Sequence, residues 1–264
     1  MIGVFDSGVG GLIIYQRIKE MLPHVTFQYF SDHLHFPYGG KTDQEVIRYS
    51  MEISSFLVQQ GCNMIVVACN TATVTAIQRL REVFSIPFVG IVPAVKPASS
   101  HSTNKKIAVL VTPLSAKSKQ YEILLDEWKH GNRMETFEMP NLASIVEYNQ
   151  LHQKSTQQYL HSFFQNLQKQ SYSIVVLGCT HFLYLKAFLE EHFPNVFEIL
   201  DPIEGVAKQA RRVYLSIQPE QEKLPTAHDV YYTSDEPSIL MHYLMNHLHF
   251  STPYPQVISF EKSS

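Results

Sequence analysis

Two cysteines carry the chemical argument. Cys69 ends the apolar run Ile65-Val66-Val67-Ala68 and is followed by Asn70-Thr71. Cys179 ends Val175-Val176-Leu177-Gly178 and is followed by Thr180-His181. An unperturbed thiol has a pKa of about 8.5, close enough to neutrality for neighbours to poise it as a base. Two groups of the same kind on opposite faces of a substrate suit moving a proton on and off one carbon. One thiolate takes the Cα hydrogen of an amino acid, the other returns a proton to the opposite face, and the roles swap in reverse. Other uses of the thiols fit less well. Neither cysteine belongs to the C-x-x-C spacing of a redox pair, and His181 with two thiols falls short of a closed zinc site. Cys62 reads as packing, and His242, His247 and His249 read as a solvated helix face rather than ligands.

The elements around these residues follow from pattern. A continuous β-branched run reads as a strand buried on both faces, as in a parallel sheet. Each cysteine therefore sits at the carboxyl end of a strand, where open α/β sheets place their chemistry. The polar pair behind each cysteine marks a helix start, whose partial positive charge favours thiolate. The chain opens with a strand over Ile2-Gly3-Val4-Phe5 that ends in Asp6-Ser7-Gly8-Val9-Gly10-Gly11. These glycines lack the G-x-G-x-x-G spacing and any P-loop lysine, so a nucleotide site is not indicated. Backbone N–H groups there suit a small carboxylate, although for the glycines alone a tight turn capped by Asp6 is the better reading.

Val25 to Phe30 reads as a strand and 35–40 as a loop, where Tyr38 is as readily a ligand-facing hydroxyl as a surface ring. Thr42 to Glu45 forms a capping box for a helix that runs to Gly61, a C′ residue. Pro93 to Ser100 reads as a crossover. A second strand–turn pair, Ile107 to Val111 ending in Thr112-Pro113, then repeats the opening plan. Ile107 follows Ile2 at nearly the interval by which Cys179 follows Cys69, so one plan runs twice. The expected fold is α/β: two pseudo-symmetric domains, each a mostly parallel sheet flanked by helices, with the active site in the cleft between them. The expected domains are 1–93 with 206–264, and 94–205.

Composition bounds the function. The 264 residues are 45% hydrophobic with a formal net charge of −3, and no basic tract occurs. That argues against nucleic-acid binding as the main activity. No apolar run approaches the length of a membrane span. The chain begins directly on a strand with no signal peptide ahead of it. Three cysteines make no disulfide framework, so a reducing cytoplasm is expected.

The motifs Asp6-Ser7-Gly8-Val9-Gly10-Gly11, Pro37-Tyr38-Gly39, Ala68-Cys69-Asn70-Thr71-Ala72-Thr73 and Gly178-Cys179-Thr180-His181, in this order, resemble the glutamate racemase family over almost the whole chain. The resemblance implies a cofactor-independent two-thiol racemase that interconverts L- and D-glutamate and supplies D-glutamate for peptidoglycan. It implies no metal, no pyridoxal phosphate, no nucleotide and a homodimer. It assigns Cys69 and Cys179 as proton donor and acceptor. Asp6, Ser7, Tyr38, Gly39, Asn70, Thr71, Thr180 and His181 are placed around the substrate, with Asp6 and His181 assisting the thiols or holding the ammonium. Three positions depart from the family's usual pattern: His33 after Asp32, where threonine is common; the segment before Glu147; and Phe182-Leu183-Tyr184-Leu185 after the second motif. Glu147 is accordingly either an assisting acid or a surface carboxylate. The alternatives are an aspartate racemase of the same superfamily and an amino-acid-binding protein without turnover.

Overall fold

A computed structural model describes residues 1–100, 105–129, 133–218, 228–235, 237–247 and 256–259. The strands are β1 (Ile2–Asp6), β2 (Phe27–Ser31), β3 (Met64–Val67), β4 (Phe88–Gly90), β5 (Lys106–Val111), β6 (Arg133–Glu138), β7 (Tyr172–Leu177), β8 (Glu198–Leu200), β9 (Val230–Thr233) and β10 (Gln256–Ser259). They form two sheets, ordered β10-β9-β2-β1-β3-β4 and β6-β5-β7-β8. Every pairing is parallel. The block β2-β1-β3-β4 thus has the same order as β6-β5-β7-β8, with β9 and β10 added beside β2. This is the repeat expected from the spacing of the motifs.

The apolar runs form strands because both sheet faces are covered. Along β3, Met64 and Val66 enter one core cluster while Ile65 and Val67 enter another. Along β7, Val175 and Leu177 separate from Ile174 and Val176 in the same way. One cluster contains Ile2, Val4 and Val66 from the first sheet together with Ala108, Leu110 and Leu177 from the second. Apolar packing is therefore continuous between the halves. The capping box at Thr42 is formed in full, with Glu45 N–H reaching Thr42 Oγ1 and Glu45 Oε2 accepting from the Thr42 backbone N–H. Gly61 takes φ +90, the left-handed C′ geometry that glycine adopts without a Cβ penalty.

Several elements differ from the expectation. Pro93 to Ser100 does cross from β4 of one sheet to β5 of the other, but it does so partly as a short helix, Val95–Ser100. A further short helix, Pro113–Lys117, begins on a proline at its first turn, where no N–H partner is lost. The strand β6 was not expected at all. It is an edge strand whose residues are only partly covered, so its sequence Arg-Met-Glu-Thr-Phe-Glu carries charges where a central strand would be apolar. His242 is exposed on the helix Ser238–His247, as expected of a solvated face. His249 and the side chain of His247 lie outside the described residues.

Candidate active site

The carboxyl ends of β1, β3, β5 and β7 converge between the two halves. Cys69 follows β3 and is the N-cap of the helix Asn70–Val83, its sulfur accepting from the Ala72 N–H at 3.4 Å. Its thiol also points to Ser7 Oγ at 3.9 Å. Burial pushes the Cys69 thiol well above its ordinary value, and the nearby charges of Asp6 and Cys179 push in the same direction. This corrects the expectation that a helix start would favour thiolate here. The Ala72 N–H and Ser7 do pull downward, but they do not offset desolvation.

Cys179 follows β7 in a different setting. A single 3-10 turn, His181–Tyr184, separates it from the helix Leu185–His192. Cys179 is thus not a helix N-cap as Cys69 is, and the expected equivalence of the two cysteines ends at this point. Its side-chain partner is the imidazole of His181. The His181 Nε2 in turn meets Glu147 Oε2 at 2.6 Å. His181 is fully enclosed, yet the hydrogen bonds to Cys179 and Glu147 and the charges of Glu147 and Asp6 outweigh its desolvation. Its pKa lies well above the ordinary value.

Glu147 closes the short helix Leu142–Glu147 and is buried, which removes the surface-carboxylate reading. A lone buried carboxylate would be strongly destabilising. This one accepts from His181, from His33 Nδ1 at 2.8 Å and from the Val9 backbone N–H at 3.0 Å. Desolvation acts against its ionisation, but these donors together hold its pKa down to about 2. Asp6, at the end of β1, accepts from the Gly8 N–H and from Thr180 Oγ1, each at 2.9 Å. Burial leaves its pKa raised despite the pull of His181 and those two donors.

The contacts between the halves are reciprocal. Asp6, behind β1, receives the hydroxyl of Thr180 from behind β7. Thr112, behind β5, meets the hydroxyl of Thr71, two residues after Cys69, at 2.9 Å. Ser115 joins this second pair, 3.2 Å from Thr71 Oγ1. The glycine loop is fitted against the other half. A Cβ on Gly8 would stand 2.4 Å from Glu147 Oε2, and one on Gly10 2.5 Å from His181 Nδ1. At Gly39 it would stand 2.8 Å from Thr112 Cβ. The glycines at these positions are there for close approach across the halves, a reason the turn reading did not contain.

Tyr38 is buried, and its hydroxyl donates to Asp32 Oδ2 at 2.6 Å. It is therefore not a surface ring, and its hydroxyl is held in place by Asp32. Asn70 stands apart from all of these. Its side chain is buried with neither the amide nitrogen nor the oxygen hydrogen-bonded among the described residues. A buried amide without partners is unfavourable, and it stands as a waiting donor and acceptor.

His33, Thr112 and Ser115 belong to this constellation although the motifs did not single them out as site residues. The signal available for His33 was its place directly behind the end of β2, the same sheet edge that carries Asp6 and Cys69. Among the described residues no group of three or more His, Cys, Asp or Glu side chains is arranged to hold a metal ion, and no helix is long and apolar enough to cross a membrane.

Comparison with known proteins agrees with this geometry. Residues 2–210 match the family described as Asp/Glu/Hydantoin racemase. The glutamate racemase of Halothermothrix orenii is 36% identical over 214 residues, spanning 81% of this chain and 85% of that protein. The one from Lachnospira eligens is 35% identical over 238 residues, spanning 89% and 90%. Among solved structures, glutamate racemase isoform RacE1 from Bacillus anthracis superposes with a TM-score of 0.85 at 28% identity, covering 99% of this chain and 97% of that one. Escherichia coli glutamate racemase, solved with L-glutamate and the activator UDP-MurNAc-ala, gives 0.85 at 26% identity, covering 98% and 97%. The chain therefore belongs to the Asp/Glu/Hydantoin racemase family and, within it, to the glutamate racemases.

Proposed function

We propose that the protein interconverts L- and D-glutamate by proton transfer at Cα between Cys69 and Cys179, without metal, pyridoxal phosphate or nucleotide, and so supplies D-glutamate for peptidoglycan. The observation that carries this reading is the pair of thiols. Each stands behind an equivalent strand of the repeat, and each lies close enough to the other for the charge of Cys179 to act on Cys69. The L-glutamate held by the E. coli relative supports the same substrate here.

In this mechanism the substrate lies between the two halves, 1–93 with 206–264 and 94–205, in a cytoplasmic homodimer. The unpaired Asn70 amide, the Ser7, Thr71 and Thr180 side chains and the backbone around Gly39 receive its carboxylates and ammonium. The arriving ammonium places a cation beside the Cys69 thiol, which burial otherwise keeps protonated, favouring thiolate at the moment it is needed. One thiolate then accepts the Cα proton and the opposite thiol donates its own. Asp6 supports the Cys69 side and His181 with Glu147 the Cys179 side.

The test is deuterium entry at Cα from each enantiomer in heavy water, for the wild type, Cys69→Ala and Cys179→Ala. Loss of a general base lowers a rate by about 10²–10⁴-fold. Each variant is expected to lose racemisation to at least that extent while still exchanging one enantiomer, a different one in each. Undiminished racemisation by either variant overturns the reading. The same assay on both enantiomers of aspartate is expected to show far slower exchange.

A further inference from the structure

His33 lies in the turn that follows β2, in the half that carries Cys69, yet its side chain hydrogen-bonds into the other half. Its Nδ1 is 2.8 Å from Glu147 Oε1, while Glu147 Oε2 is held by His181 Nε2 at 2.6 Å. One carboxylate is thus shared between two imidazoles, one from each half. A stack of rings fixes the arrangement. His33 lies flat against Phe36, with ring centres 5.9 Å apart, and Phe36 reaches the His181 ring at 5.2 Å. Tyr148, the residue after Glu147, meets the His33 ring edge-on. The other charged groups facing His33 are Asp235, which favours its protonation, and His181, which opposes it.

We propose that His33 is a positioning residue for the Cys179 half-reaction: by binding the Oε1 oxygen of Glu147 from across the cleft, it fixes the Glu147–His181–Cys179 hydrogen-bond chain when the halves are closed. Glu147 Oε2 is held by His181 and by the Val9 N–H, and His33 on Oε1 adds the restraint on the second oxygen that narrows rotation of the carboxylate about its terminal bond. His181 gives its Nε2 to that carboxylate and also interacts with Cys179, so a rotation of Glu147 shifts the imidazole relative to Cys179. Among the described residues no comparable chain leads from His33 to Cys69, whose partners are the Ala72 N–H and Ser7. The effect of losing His33 is therefore one-sided. This inference rests on the two-thiol reading above.

The experiment measures kcat, KM and the primary isotope effect with Cα-deuterated L- and D-glutamate for the wild type, His33→Ala and His33→Asn. The exchange pattern of Cys69→Ala, in which only Cys179 remains, identifies the enantiomer whose hydrogen Cys179 removes. Misplacing a catalytic group costs about 10- to 100-fold, and His33→Ala is expected to lower kcat within that range with little change in KM. Its isotope effect should rise for the Cys179 enantiomer and fall for the other, because transfer at Cys179 becomes limiting in both directions. His33→Asn, whose amide N–H stands near the position of Nδ1, should recover most of kcat and rebalance the two isotope effects. Isotope effects that move together in both directions, an unchanged kcat in His33→Ala, or a folded His33→Asn no better than His33→Ala would overturn the inference. A Cys179→Ala variant that still exchanges both enantiomers would overturn the two-thiol reading and this inference with it. An inactive Cys179→Ala beside an unpolarised His33→Ala would overturn this inference alone.

Discussion

Asn70 and Glu147 handle burial in opposite ways. Glu147 is charged, enclosed and saturated with donors, so it stabilises the resting protein. Asn70 is neutral, enclosed and unpartnered, so it destabilises the resting protein and is ready for a ligand. Removing the amide therefore separates stability from binding. Asn70→Ala is expected to leave the melting temperature unchanged or slightly raised, because no internal hydrogen bond is lost. Hydrogen bonds to charged groups are worth about 1.5–3 kcal/mol, so KM for glutamate should rise about 10- to 100-fold. Thermal melts and steady-state kinetics on the same preparation check both halves of the statement. At this scale the sequence was informative where residue type alone decides. The cysteines, Asp6, Thr180 and His181 announced themselves by kind and place. The state of the Cys69 thiol did not, because it depends on how completely the sulfur is enclosed, and enclosure is a property of the packed halves. Glu147 was ambiguous for the same reason. A carboxylate reads as exposed until the three donors that make its burial tolerable are seen.

Among the elements, the loop between β1 and the helix Leu12–Met21 has the tightest tolerance. Gly8 faces the Glu147 carboxylate and Gly10 faces His181 and Thr180, at separations that no Cβ accepts. The neighbours are not free to retreat, since Glu147 is held by three donors. Gly10→Ala is expected to hold the halves apart and misalign the site. A displacement of about 1 Å costs on the order of 10²-fold in rate, and kcat/KM should fall at least that far while the far-ultraviolet circular dichroism stays that of the wild type. Wild-type kcat/KM in Gly10→Ala would mean that the loop does not set the approach. The strands β1, β3, β5 and β7 were legible because both of their faces are buried and their runs are apolar. The edge strand β6 was hidden by its alternating charges. The strand β10 was missed as well; it pairs at the other edge of the larger sheet, beside β9. The capping box and Gly61 were legible because such signals are local, while the crossing of the glycine loop against the other half is long-range.

For the whole molecule, the pairings between the halves make closure sensitive to pH. Glu147 lies at about 2, below the ordinary 4.5, so its contribution is in force above the ordinary value and is lost as pH falls towards 2. His33 and His181 lie above the ordinary 6.5. Their contribution is complete below 6.5 and is lost as pH rises through the raised values. The cluster is therefore intact between these limits and weakens on the alkaline side. The difference in melting temperature between the wild type and Glu147→Gln should be widest near pH 5–6, by this reckoning about one unit below the ordinary histidine value, and should narrow as the pH is raised. A gap that stays constant with pH would show that the three side chains do not titrate as a unit.

The two thiols have unequal support: a backbone amide stands behind one, an imidazole behind the other. Mirror-image substrates have equal free energy in water, so the ratio of kcat to KM must be the same in both directions whatever the protein does. Lopsided support cannot tilt the final mixture. It can only trade speed against saturation, so that the enantiomer turned over faster is also the one retained less tightly, by the same factor.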